Sequence, residues 1–157
     1  MSNAAVVETN HIVLPSHINA LGTIFGGVLM SWIDITAAIC AQQHSGCVVV
    51  TASIDVLHFL APARLGDVVT LKAKVIYTGK TSMVVRVNAE AENVRDRKRR
   101  RCVTADLSFV ALDKKGKPAK VPSLKPRSKQ EKSDFEKAAA RRKVLLDDLK
   151  ALKHTIS

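Results

Sequence analysis

The sequence predicts an α+β fold in which an antiparallel sheet wraps one central helix. Three observations carry this. Segments 67–77, 82–93 and 101–112 each alternate residues with period two, the signature of half-buried strands. A long apolar segment, Gly26 to His44, precedes them with helical length and a Ser45-Gly46 stop. The links between strands are short, so this helix is the element available to cover the sheet's apolar face.

A first strand is expected from Ala5 to Val13, rich in β-branched residues and stopped at Pro15. Pro15 to Phe25 is a polar loop containing glycine. In the helix from Gly26, apolar residues fall all round, which predicts burial on most sides. Four strands follow. The first, Cys47 to Leu60, ends at Ala61-Pro62. The second turns Val69, Leu71, Ala73 and Val75 inward. The third turns Met83, Val85, Val87, Ala89 and Ala91, and the fourth Val103, Ala105, Leu107, Phe109 and Ala111. Consecutive strands of this kind suggest an antiparallel meander with one packed and one polar face. Residues 1–113 form the expected domain; 114–157 follow as a basic linker and a C-terminal helix. A capping box is expected at Ser133-Asp-Phe-Glu136. The helix stripe runs Phe135, Ala138, Ala139, Leu145, Leu146, Leu149 and Leu152. Arg142 falls on it, either reaching out from its edge or meeting an anion.

At 157 residues the chain is long enough to bury a real core, and its formal charge is +11. The charge is uneven. Through Asn93 there are 5 Lys and Arg against 6 Asp and Glu; after it, 20 against 8. The basic end invites a polyanion: nucleic acid, a membrane surface or a phosphorylated small molecule. The run Arg95 to Arg101 lies between two strands, as a solvated hairpin tip, an attractor of anionic ligand or lipid, or a nuclear or RNA contact. Few aromatics are available to stack bases, so no nucleic-acid partner is expected. Cys40, Cys47 and Cys102 lack CxxC spacing and read as reduced core residues, which favours a cytoplasmic setting. No run reaches membrane-spanning length, and the first residues lack the apolar segment of a secretory leader.

Between Glu8 and Asp55 the chain carries a single formal charge, Asp34, inside the apolar helix. A carboxylate there loses hydration at a cost of several kcal/mol unless hydrogen-bonded, so it is the first candidate for chemistry. Gly26-Gly27 opens the same helix, where unpartnered N–H groups suit a developing oxyanion. Tight helix–sheet contact would equally call for two glycines. The five histidines (His11, His17, His44, His58, His154) lack metal-ligand spacing, and no metal is expected.

The succession Asn19, Gly22, Gly26-Gly27, Asp34 resembles the signature of the hot-dog-fold acyl-CoA thioesterases, in particular the cytosolic acyl-CoA hydrolase branch. The resemblance extends through Val50-Thr-Ala-Ser-Ile-Asp55, Phe59-Leu-Ala-Pro62, Gly66-Asp67-Val68, Thr81-Ser-Met83 and Phe109-Val-Ala-Leu112 to about Leu149. His17 departs from it, where many relatives carry Asp. The resemblance implies a hydrolase that splits acyl-CoA into free fatty acid and CoA, without a cofactor. It implies a homodimer with interface sites, often assembled as a trimer of dimers, in which Asn19 of one subunit faces Asp34 of the other. Asp34 would be general base or nucleophile, the backbone N–H near Gly27 would contact the carbonyl, and Asn19 would orient water or substrate. Ala52, Ser53, Ile54, Thr81, Ser82 and Met83 would contact the nucleotide arm of CoA, and Arg142 or Lys143 its phosphates. An acyl-CoA sensor without catalysis and a hot-dog enoyl-CoA hydratase are the rival readings.

Overall fold

The computed structural model describes residues 4–156. Its secondary elements run β1 (Val7–Ile12), a 3-10 turn (Pro15–His17), α1 (Gly26–Ser45), β2 (Val48–Phe59), β3 (Val68–Thr78), β4 (Ser82–Glu92), β5 (Arg99–Leu112) and α2 (Lys129–Ile156). α1 stops where expected, because Gly46 takes the left-handed conformation (φ 69°) and returns its N–H to the Gln42 carbonyl. The inward residues of β3, β4 and β5 are those read from the alternation, each no more than 1% exposed. They meet Leu29, Trp32, Ile33, Ala37, Cys40 and Ala41 of α1 in one core.

All strand pairs are antiparallel, but the sheet is not a simple meander. Its order is β1-β3-β4-β5-β2, so β2 leaves its sequence neighbour and lies at the far edge against β5. Strands β3, β4 and β5 do form consecutive hairpins. The chain crosses the sheet on α1 after β1 and therefore enters β2 from the opposite edge. β2 also breaks register twice, between Thr51 and Ser53 and between Ile54 and Val56. Bulges of this kind bend an edge strand and re-aim its side chains. Asp55 is pinned within the bulged stretch by the hydroxyls of Ser53 and Ser108.

The outer face of the sheet is not uniformly polar. Val84, Asp106 and Ser108 on that side are buried, because the first half of α2 lies over it with Ala138 against Ile76 and Val84. Asp106 binds Arg86 through both carboxylate oxygens (2.9 and 3.0 Å) and also accepts from Arg141 of α2 (3.0 Å). Arg86 reaches on to Asp134 of α2 at 2.9 Å. The segment between β5 and α2 is pinned by backbone bonds from Ala119 to Ala111 and from Val121 to Lys80. The capping box lies one turn earlier than Ser133. Ser128 Oγ accepts the N–H of Glu131, whose carboxylate accepts from the N–H groups of Arg127 and Ser128. The carboxylate of Glu131 also meets Lys74 on β3 at 2.9 Å. Lys74 first, and the two backbone donors next, hold the Glu131 carboxyl down at about 2. That third contact is tertiary and ties the first turn of α2 to β3.

Candidate active site

Asp34 lies in the third turn of α1, half-buried, on the flank that faces β2. Its Oδ1 accepts the Thr51 hydroxyl at 2.7 Å. Thr51 belongs to β2 immediately before the first bulge, and Ala52 beside it is exposed. The outer edge of β2 pairs with no strand among the described residues. Around this edge Val48, Val50 and Ile54 are 66, 45 and 42% exposed, and Ile35 on α1 is 57% exposed. The prediction that α1 is buried on most sides is therefore met on one flank; the flank carrying Ile35 is open in a single chain. Asp34 sits at the border of an uncovered apolar surface, and among the described residues only its Oδ1 accepts a hydrogen bond.

Asn19 organises its own loop. Its Oδ1 accepts from the N–H groups of Leu21 (2.9 Å) and Thr23 (3.3 Å), and its Nδ2 donates to Thr23 Oγ1 (3.0 Å). Gly22 closes the turn at φ 79°, a conformation that favours glycine. Asn19 is exposed, and none of its bonds runs to Asp34 of the same chain. Below the loop, Trp32 of α1 stacks on His11 (4.3 Å between ring centres) and takes His17 edge-on (5.1 Å). Burial and then the neighbouring His17 lower the pKa of His11. His17 Nδ1 accepts the Leu14 N–H (3.0 Å), so this residue, assigned no role from sequence, shapes the entry to the Asn19 loop.

α1 starts without a side-chain cap, its N-cap being Phe25, so the first N–H groups are left for another acceptor. Gly27 is exposed, and the Phe25 ring lies over it closely enough that a Cβ would approach Cε1 to 2.7 Å. An open groove of about 410 Å³ runs beside this terminus, lined by Ile24, Gly26, Leu29, Phe59, Leu60 and Pro62. A second cavity, of about 240 Å³, lies between β3 and the start of α2 and shares none of these residues.

The remaining residues singled out from sequence divide into two groups. Ala52 and Ile54 are exposed at the bulged edge, and Ser53 donates to Asp55. Thr81 is half-buried with its carbonyl accepting from Ala111, Ser82 is buried, and the Met83 side chain is wholly in the core. Any ligand contact from Met83 is thus left to its backbone. Arg142 is half-buried and Lys143 exposed, one residue beyond the anchored Arg141. Thr51 was not singled out; the only sequence signal was its place inside the Val50 to Asp55 stretch.

A family model described as the thioesterase superfamily matches residues 21–98. An uncharacterized acyl-CoA thioester hydrolase of Bacillus subtilis is 41% identical over 126 residues, covering 80% of this chain and 73% of that one. The chain belongs to the thioesterase superfamily. Its fold is the hot-dog fold of the acyl-CoA hydrolases: one of Staphylococcus aureus, solved with butyryl-CoA, CoA and CoA disulfide, superposes with a TM-score of 0.87. That enzyme is 38% identical, with 96% of this chain and 92% of the other covered. A hexameric acyl-CoA thioesterase shares the same TM-score and identity over 92% of each chain. The rat cytosolic acyl coenzyme A thioester hydrolase is 37% identical over 83% of this chain, which spans only 35% of it. This chain thus matches about a third or less of the longer mammalian thioesterases. The S. aureus hydrolase has also been solved with an asparagine, an aspartate or a threonine replaced by alanine. Along that thioesterase the asparagine lies fifteen residues before the aspartate and the threonine seventeen after it, the spacings of Asn19, Asp34 and Thr51 here.

Proposed function

We propose that the protein hydrolyses acyl-CoA to a free acid and CoA, with Asp34 as the acting carboxylate. The observation that carries this is the Asp34–Thr51 pair at the uncovered β2 edge. The matched spacing of three residues replaced in a related hydrolase supports it.

The resemblance to the hot-dog thioesterases implies a site divided between two subunits, and helix geometry supports that reading. Gly27 and Asp34 are seven residues apart on α1, about 10 Å along its axis, too far to meet at one carbonyl. Joining two chains at their β2 edges would cover the exposed Val48, Val50 and Ile54 and continue the sheet. The Gly27 N–H and the Asn19 loop of one chain then face Asp34 of the partner subunit, giving two equivalent sites per dimer. The hexamer of a related thioesterase supports a trimer of such dimers.

In the reaction the Gly27 N–H donates to the thioester oxygen as it becomes an oxyanion. Thr51 fixes Oδ1 of the carboxylate, and Oδ2 either takes the proton of attacking water or attacks the carbonyl itself. On the water route the C–S bond breaks, CoA leaves as the thiolate and takes the proton back from Asp34, and the acid is released. On the direct route C–S cleavage leaves a mixed anhydride on Asp34, which water then hydrolyses to free acid and carboxylate, the released proton passing to the thiolate. The apolar groove beside α1 suits the acyl chain. Ala52 and Ile54 flank the nucleotide arm, and Arg142 or Lys143 meets a phosphate. The reaction requires no cofactor, and the cytosolic naming of mammalian relatives supports a cytoplasmic setting.

Free-thiol release across acetyl- to palmitoyl-CoA tests the reading. The protein should release thiol, and Asp34→Asn should lower kcat about a hundredfold or more with the oligomer intact. Binding without thiol release, hydration of crotonyl-CoA instead, or full turnover in the variant would each overturn it.

A further inference from the structure

The β4–β5 hairpin takes no part in this chemistry, yet it is the most densely basic surface of the sheet. Its tip is built rather than loose. The Asn93 side chain accepts the Arg95 N–H (2.8 Å), Asp96 accepts the Lys98 N–H (2.9 Å), and Arg97 turns the chain at φ 57°. Arg97 and Arg99 lie beside Glu92 at 3.8 and 3.4 Å while staying largely exposed. Arg64, Arg95, Lys98 and Arg101 make no ion pair among the described residues. Arg100 is different: it turns back to the Pro62 carbonyl (3.0 Å) and the buried Asp67, clamping the hairpin to segment 60–67.

That clamp brings two apolar side chains among the cations. Val94 at the tip is 66% exposed and Leu65 is 50% exposed, and both line one cleft of about 350 Å³ with Arg95. Aliphatic side chains ringed by arginine and lysine suit an anionic bilayer, where cations meet headgroups and the apolar tip enters the interface. A nucleic acid would be met by stacking rings, and residues 61–68 and 92–101 contain no aromatic. We infer that the β4–β5 tip and the Leu65 loop together form a docking surface for anionic membrane. Pro62 belongs both to the clamped segment and to the apolar groove by α1, so docking would bring that groove to the lipid surface. The inference stands apart from the thioester chemistry, since adsorption needs no turnover.

Sedimentation of the full chain with vesicles tests it. Vesicles one-third phosphatidylglycerol should bind at about 0.1 M salt and release the protein at about 0.5 M, while phosphatidylcholine vesicles should not bind. Arg95→Glu with Lys98→Glu, a change of four charge units, should weaken binding about six-hundredfold, at roughly fivefold per unit charge. Val94→Ser with Leu65→Ser should weaken it about tenfold without changing charge. Unchanged melting temperatures in both variants establish that the fold is kept. No binding to anionic vesicles, undiminished binding by either variant, or tighter binding of wild-type protein to single-stranded RNA would overturn the inference. A protein that adsorbs as stated but releases no thiol would leave it standing and sink the thioesterase reading.

Discussion

Asp34 and Thr51 meet across seventeen residues of chain, and the two are unequal in what the sequence reveals. Asp34 is legible because a lone carboxylate in an apolar helix is costly to bury. Thr51 is one hydroxyl in a strand of valines, and nothing local says which face it occupies once β2 bulges. A hydrogen bond to a charged group contributes roughly 1.5–3 kcal/mol. Thr51→Val keeps the shape and removes the hydroxyl, so steady-state kinetics should show kcat lowered about tenfold or more, with the melting temperature little changed. Equal kcat would make Thr51 a spectator. Met83 gives the opposite lesson: its alternation in β4 already turned it inward, and the core is where its side chain lies.

Helix α2 shows what pattern reading catches and misses within one element. The apolar stripe was legible, and Ala138 does seat on Ile76 and Val84. The start was displaced because the chain holds a second Ser-x-x-Glu box, Ser128 to Glu131, whose carboxylate also meets Lys74 of β3. Arg141, the neighbour of the Arg142 singled out from sequence, reaches Asp106. Asp106 falls between the inward Ala105 and Leu107, on the side of β5 that alternation alone assigns to the polar face. It is instead 2% exposed, between Arg86 of the sheet and Arg141 of the helix. Removing one partner of a buried ion pair leaves the others uncompensated, at a cost of about 3 kcal/mol. Asp106→Ala should lower the unfolding free energy by about that amount in urea titration. A change below about 0.5 kcal/mol would show that α2 docks by apolar contact alone.

The open β2 edge belongs to the scale of the whole molecule, where exposed valines, an uncovered face of α1 and the carboxylate of Asp34 converge. If the site is shared, Asp34→Asn and Asn19→Ala are each inactive, but a mixed dimer holds one site with both native residues. Refolding the two variants together should recover thiol release at one site of each mixed dimer. Recovery equal to the sum of the separate variants would place Asn19 and Asp34 in the same chain's site. Size-exclusion elution of each variant alone checks that the oligomer survives.

The sequence by itself determined the elements that arise from local periodicity: the central helix, the inward residues of three strands, and the isolated carboxylate. Its resemblance to a family supplied Asn19 as a partner for that carboxylate. Only the tertiary structure decided the strand order, the hydroxyl beside Asp34, the Asp106 clamp under α2, and the meeting of Val94 with Leu65 among cations. The reason is physical. Alternation and helical period follow from backbone geometry over a few residues. Which edge a strand joins, and which face a helix covers, depend on surfaces left free by segments distant in the chain.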